Sequence, residues 1–240
     1  NKGVEITINA IPVKTKAFEW STTLNLSHNK NVVEKLSNAT YSVKYIDEAS
    51  PELSGNHGVY VQRLMEGCPI GQFYTYEWAG YDENGTSQYY VHDANTGERT
   101  GETTIDPQDK DRTKVGSAQP KLTLGWNNTL TYNNWSLNMF FNGLRAQGNA
   151  ITMLSQGKNV FAEALTEQRY GDVNSQKPSD RYIENGSYLR LSSMTLTYRF
   201  GKIGDWVNNL SVYATCNNVF TLTSFKGTDP EVNLGGLTPG

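Results

Sequence analysis

The chain has 240 residues, 37% of them hydrophobic, and a formal net charge of −3, with a mean hydropathy of −0.58; it is long enough to bury a sizeable core in one large β domain or two smaller ones. No run of about 20 apolar residues occurs, which excludes a membrane-spanning helix but leaves open a membrane barrel, whose strands show lipid at every second residue. Lysine and arginine are scattered, with no basic patch for phosphates, so nucleic acid is not an expected partner.

Fourteen tyrosines and five tryptophans, with many Thr, Asn and Gly, lean toward β structure. Cys68 and Cys216 are far apart and lack CxxC or Cys/His spacing, so two unpaired thiols are expected and no zinc site. The first residue is Asn1, with no initiator Met or targeting segment, and the chain reads as a piece of something longer.

Period-2 alternation predicts eight strands in chain order, near 4–13, 17–28, 58–66, 71–80, 120–132, 135–145, 188–200 and 209–220. Several reach ten residues or more. Strands of soluble sheets run about 5–6 residues, whereas crossing a bilayer at a tilt takes about 9–11. The connections alternate between tight turns near 14–16, 67–70, 133–134 and 201–208 and polar excursions near 29–57, 81–119 and 146–187. That order suits an up-and-down barrel with short turns at one end and long loops at the other. Within the excursions, Asn159–Arg169 alone reads as briefly helical.

The clearest stretch runs from Lys121 to Arg145. Leu122, Leu124, Trp126, Leu130 and Tyr132 alternate with Lys121, Thr123, Gly125, Asn127, Thr129 and Thr131. After Asn133-Asn134, Trp135, Leu137, Met139 and Phe141 alternate with Ser136, Asn138 and Asn142, Phe140 being the exception. A two-residue turn at Asn133-Asn134, where Asn tolerates positive φ, sets Tyr132 opposite Trp135, Leu130 opposite Leu137 and Trp126 opposite Phe141. A slip of one residue would oppose every apolar group to a polar one. Leu122, Leu124, Trp126, Leu130, Leu137, Met139 and Phe141 are therefore expected to face lipid, with Tyr132 and Trp135 in an interfacial girdle. Alternation also fits a soluble hairpin on a protein core. Later, Met194, Leu196, Tyr198 and Phe200 share a face, as do Leu210, Val212, Ala214 and Cys216. Leu189 and Leu191 are out of phase, which predicts a bulge near Ser192-Ser193. Earlier, Trp20, Thr22, Leu24 and Leu26 oppose Ser21, Thr23, Asn25 and Ser27.

Residues for chemistry are sparse. His28, His57 and His92 lack metal-binding spacing and read as strand-end or loop histidines. No GxSxG or Walker sequence occurs. Asp82-Glu83, or Asp106 with Asp109, could form the acid/base pair of a glycoside hydrolase, though solvated loop acids are the commoner reading and no catalytic residue is assigned. Asp93-Ala94-Asn95-Thr96-Gly97-Glu98 lacks the ligand set of a calcium loop and reads as an Asx turn or hairpin, and Asn84-Gly85 is a turn signal. Tyr81, Tyr89 and Tyr90 could stack on sugar rings as ligand contacts, or pack a loop. No metal or cofactor is expected.

Four stretches together, "EGCPIGQFYTYEWAGYDENG" at 66–85, "DRTKVGSAQPKLTLGWNNTLTYNNWSLNMFFNG" at 111–143, "RYIENGSYLRLSSMTLTYRF" at 181–200 and "LSVYATCNNVFTLTSFKGTDPEVN" at 210–233, resemble the C-terminal part of SusC/RagA-type TonB-dependent outer-membrane transporters. The opening "FEWSTTLNLSHNKNVVEKL" at 18–36 fits the same pattern. The resemblance implies an all-β fold, about eight strands of a larger antiparallel up-and-down transmembrane barrel, with residues 1–240 its C-terminal part and the plug domain and last strand outside the chain. It also implies a place in the outer membrane of a Gram-negative bacterium, TonB-energised import of oligosaccharides or peptides, and a SusD-like surface lipoprotein as partner. The residues themselves leave two alternatives, a soluble carbohydrate-binding β-sandwich and a β-rich glycoside hydrolase.

Overall fold

A computed structural model describes residues 1–49, 60–146, 150–151, 172, 174, 177–225 and 229–231. The strands are β1 (Lys2–Lys14), β2 (Phe18–Lys30), β3 (Tyr45–Glu48), β4 (Gln62–Met65), β5 (Gln72–Tyr76), β6 (Trp78–Tyr81), β7 (Ser87–His92) and β8 (Arg99–Thr104), followed by β9 (Arg112–Ser117), β10 (Pro120–Tyr132), β11 (Trp135–Ala146), β12 (Ala150–Ile151), β13 (Ile183–Glu184), β14 (Tyr188–Ile203) and β15 (Val207–Thr223).

They fall into two compact units. One comprises Asn1–Lys30, Pro120–Ala146 and Ser187–Ser224 and carries a six-stranded antiparallel sheet in the order β1-β2-β10-β11-β14-β15. Its strands are 12 to 17 residues long, well beyond the usual soluble length of about 5–6. The other comprises Asn31–Gln119, Gln147–Gly186 and Phe225–Gly240 and carries small sheets ordered β3-β4-β5-β9, β6-β7-β8 and β12-β13.

Six of the eight expected strands thus belong to the long sheet, and the stretches near 58–66 and 71–80 do not. There the chain makes β4 and β5, of four and five residues, separated by Gly67 and Gly71 at positive φ. Alternation over so few residues arises equally in a small sheet, and the turn near 67–70 is internal to that sheet. The excursions near 29–57 and 81–119 are consequently parts of one insertion between β2 and β10. Asn159–Arg169 and His57 lie outside the described residues.

Every connection at one end of the long sheet is a tight turn, after β1, β10 and β14, while the insertions following β2 and β11 leave from the other end. The hairpin of β10 and β11 has the expected register, Tyr132 opposite Trp135, Leu130 opposite Leu137 and Trp126 opposite Phe141. Asn133 adopts the left-handed conformation that its short polar side chain tolerates, with φ 48°. The bulge sits at Ser192: Phe140 pairs with Ser193 and Phe141 with Leu191. On the far side, Asn218 at φ 51° absorbs the matching irregularity in β15. Leu189 and Leu191 are thereby returned to the face of Met194 and Leu196.

Candidate functional site

The long sheet has two unlike faces, and its register sorts every expected apolar residue onto one of them. At the turn end, Phe18, Tyr132, Trp135, Tyr198 and Val212 form a row across five strands. Trp135 packs against Tyr198 with centroids 4.6 Å apart, and Tyr198 packs edge-on against Phe200 at 4.6 Å. Further along lie Trp20, Leu130, Leu137, Leu196 and Ala214, then Leu24, Trp126, Phe141, Leu191 and Phe220. Leu122 is ten residues from Tyr132 along β10; at about 3.3 Å per residue and a tilt near 40° that is roughly 25 Å, the height of a barrel's apolar band.

This face is exposed where a soluble protein would cover it. Ile6 is 49% accessible, Val212 57% and Leu222 60%, far more contiguous apolar surface than soluble chains usually leave open. Both indole N–H groups on it are paired within the sheet: Trp126 Nε1 donates to Thr22 Oγ1 at 2.8 Å and Trp20 Nε1 to Asn128 Oδ1 at 3.0 Å, while the buried Asn128 Nδ2 has no partner.

The opposite face is a lattice of amides and hydroxyls. Thr23 Oγ1 donates to Asn9 Oδ1 at 2.8 Å, Asn138 Nδ2 to Asn127 Oδ1 at 3.1 Å and to Thr129 Oγ1 at 2.9 Å, and Thr195 and Thr215 share a bond of 3.0 Å.

In the second unit the candidate ligand tyrosines separate. Tyr89 is 1% accessible, its hydroxyl donates to the Asn174 carbonyl at 3.1 Å, and burial pushes its pKa well up. A ring so enclosed presents no face to a ligand, and it belongs to the core. The Tyr81 hydroxyl accepts a bond of 2.7 Å from Arg181, and the Tyr90 ring lies 4.0 Å beneath the Arg99 guanidinium. The three do not form one platform.

The same unit holds a charge cluster that sequence spacing did not announce. Glu77 accepts two bonds from Arg99, at 3.0 and 2.9 Å, and pairs with His92 Nε2 at 2.9 Å. The Arg99 bonds, against the opposing effect of burial, hold the Glu77 carboxyl below its ordinary range. His92 is buried, its backbone N–H donating to Asp111, so it is a core residue at the end of β7. Arg63, also buried, is clamped by Asp47 at 2.7 and 3.2 Å between the rings of Tyr45 and Tyr74. Partners 15 and 22 residues apart leave no periodic trace.

Three of the four candidate acids have partners. Asp82 accepts the Asn84 and Thr86 N–H groups in the expected turn, Asp106 meets Lys177, and Asp109 meets Arg112. Asp93 caps the Asx turn joining β7 and β8. Both cysteines are free thiols, Cys68 buried and Cys216 exposed.

Long antiparallel strands, tight turns at a single end, an exposed apolar face and a hydrogen-bonded polar one define part of the wall of an up-and-down transmembrane β-barrel. TonB-dependent receptor P3 of Formosa agariphila is 31% identical over 267 residues, covering 97% of this chain and 25% of that protein. TonB-dependent receptor SusC of Bacteroides thetaiotaomicron is 31% identical over 255 residues, covering 98% and 24%. The solved structure of the RagAB peptide transporter matches with a TM-score of 0.70 at 23% identity, over 95% of this chain and 26% of that one. No family model matches. Over nearly its whole length the chain is similar to TonB-dependent receptors of the SusC type and shares its fold with the RagAB transporter, and it spans about a quarter of the length of the curated relatives it matches.

Proposed function

We propose that this chain forms the C-terminal part of the barrel of a TonB-energised importer in the outer membrane of a Gram-negative bacterium, taking up oligosaccharides with a SusD-like surface lipoprotein as partner and TonB acting through another part of the protein. The carrying observation is the exposed apolar face. Leu122, Leu124, Trp126, Leu130, Leu137, Met139 and Phe141 meet lipid in this reading, Tyr132 and Trp135 sit at headgroup depth, and the amide and hydroxyl lattice lines the lumen. A soluble sandwich would have to cover the same face with a second sheet.

The test is a pair of adjacent substitutions in the full-length protein. Leu130→Arg sets a charge against lipid just inside the interfacial row and should cost about 1 kcal/mol or more, short of the about 2–4 kcal/mol of the midplane; Thr129→Arg points into the lumen and should be mild. Heat-modifiable mobility of the assembled barrel in outer-membrane fractions reads the difference. Equal damage from the two would defeat the face assignment.

A further inference from the structure

The two ends of the long sheet treat charge differently. At the turn end lysine meets carboxylate, Lys14 with Glu19 at 2.7 Å and Lys202 with Asp205 at 3.1 Å. One further carboxylate belongs to this unit, Glu5, and it lies opposite Ser27 on the polar face. At the other end the register sets Lys2 directly across from Lys30, on the face that continues through Val4 with His28, Ile6 with Leu26 and Ile8 with Leu24. Both lysines are exposed, and among the described residues neither side chain has an ion-pair or hydrogen-bond partner. Like charges directly opposite each other destabilise a strand pair, their Cβ atoms being about 4.5–5.5 Å apart. An anion held between the two ammonium groups would remove that repulsion.

Depth makes the pair more particular. On β2, His28 is ten residues from Phe18, which stands opposite Tyr132 in the aromatic row; at about 3.3 Å per residue and a tilt near 40° that is roughly 25 Å, the height of the apolar band. Lys30, two residues further, lies about 5 Å beyond the band, where the headgroups of the far leaflet begin. His28 Nδ1 donates to the Lys121 carbonyl at 2.6 Å, which ties the end of β2 to β10 just past the pair of Ser27 and Thr123. Directly below the lysines, Val4 is 60% and Ile6 49% accessible, so the cationic pair caps an open apolar surface.

We propose that Lys2 and Lys30 bind the phosphate of a phosphorylated lipid in the outer leaflet, with its acyl chains lying along Val4, Ile6 and Leu26. A phosphomonoester brings more than one negative charge and three acceptor oxygens, enough for two ammonium groups, each a compact point charge with three donors. A zwitterionic headgroup carries its own cation to the site and gains less. Free phosphate matches the charge but has no chains for the apolar residues. The inference rests on the reading of the apolar face as the lipid face and of the insertion end as the outer one.

The test uses the full-length protein in neutral detergent, titrated with dipalmitoyl phosphatidic acid, dipalmitoyl phosphatidylcholine or inorganic phosphate, with lipid retention read by native mass spectrometry. The wild type should retain phosphatidic acid in preference to phosphatidylcholine, and equimolar phosphate should not displace it. Lys2→Gln and Lys30→Gln should weaken the tightest retention about fivefold each and about thirtyfold together, with Lys30→Arg close to wild type. Lys202→Gln, the same change of charge at the turn end, should leave it unaltered. In lipid-free detergent Lys30→Gln should raise the unfolding temperature by relieving the repulsion, and phosphatidic acid should reverse the order of the two proteins, a crossing that a purely structural lysine would not give. Retention unchanged by the double substitution, equal retention of the two lipids, or displacement by equimolar phosphate would overturn the site. Leu130→Arg and Thr129→Arg read the face assignment separately: unequal damage from them with an unaltered lipid titration defeats the lysine site alone, whereas equal damage defeats the barrel reading itself.

Discussion

The two units bury opposite things. In the long sheet, Ile6, Val212 and Leu222 are among the most exposed apolar side chains, while the polar side is hydrogen-bonded across its strands. In the second unit, Gln62, Arg63, Thr75, Ser87, His92 and Asp111 are buried beside Val61, Phe73 and Tyr89. One segment of polypeptide therefore follows two solvent rules. The sheet satisfies its backbone through long ladders and leaves its apolar side to an apolar medium. The insertions, with short strands and few aliphatic residues, are held by arginine stacked on aromatic rings and by charge-assisted bonds. Removing a polar partner should accordingly be costly in the insertions and cheap on the polar face of the sheet.

The largest effect is expected at Asp47. Asp47→Ala removes both short carboxylate bonds to the Arg63 guanidinium, whose side chain is 5% accessible, leaving only Asp109 at 4.0 Å, and breaking such a pair costs about 3 kcal/mol. Hydrogen exchange of β3, β4 and β5 in the full-length protein should accelerate accordingly. The matching deletion on the sheet, Thr195→Val, removes an exposed cross-strand bond to Thr215 and should cost no more than about 0.5 kcal/mol. Comparable costs at the two sites would erase the distinction between the units.

A smaller effect tests the turn that sets the sheet's register. Asn133 is at φ 48°, and an alanine in that conformation costs about 1–2 kcal/mol. Asn133→Ala should lower barrel stability by about that amount in urea unfolding from lipid vesicles. Asn133→Gly should be neutral, and equal losses for both variants would place the role of Asn133 in its side-chain contacts.

The same contrast explains what could be read from the sequence. The hairpin from Lys121 to Arg145 was legible down to individual pairs, because a strand with two unlike faces writes its register as alternation, and the Ser192 bulge was legible as a slip in that alternation. The insertions were not. Their order comes from pairs such as Glu77 with Arg99 and Arg63 with Asp47, set by three-dimensional proximity. Tyr89 illustrates the cost: a tyrosine in a polar, Gly-rich stretch suggests an open ligand platform, yet its ring is enclosed. Phe140 shows the converse, since the residue that broke the alternation of β11 packs its ring over Gly125 on the polar face.

The smallest effect concerns pH. Because Arg99 holds the folded Glu77 carboxyl below its ordinary range, Glu77 adds stability at pH values above the unfolded glutamate pKa of about 4.3, and that contribution is lost as the pH falls through the depressed folded value. Arg99 is half exposed, so solvent screening keeps the contribution to about 1 kcal/mol or less. Protection factors in β7 and β8, which correct for the intrinsic slowing of amide exchange in acid, should therefore fall as the pH drops below about 4, while those in β10 and β11, where no such pair is described, stay level. Glu77→Gln should remove the acid dependence attributable to this group and leave faster exchange at neutral pH. A pH response in β7 and β8 identical in wild type and Glu77→Gln would show that the insertions owe their acid sensitivity to other carboxyls.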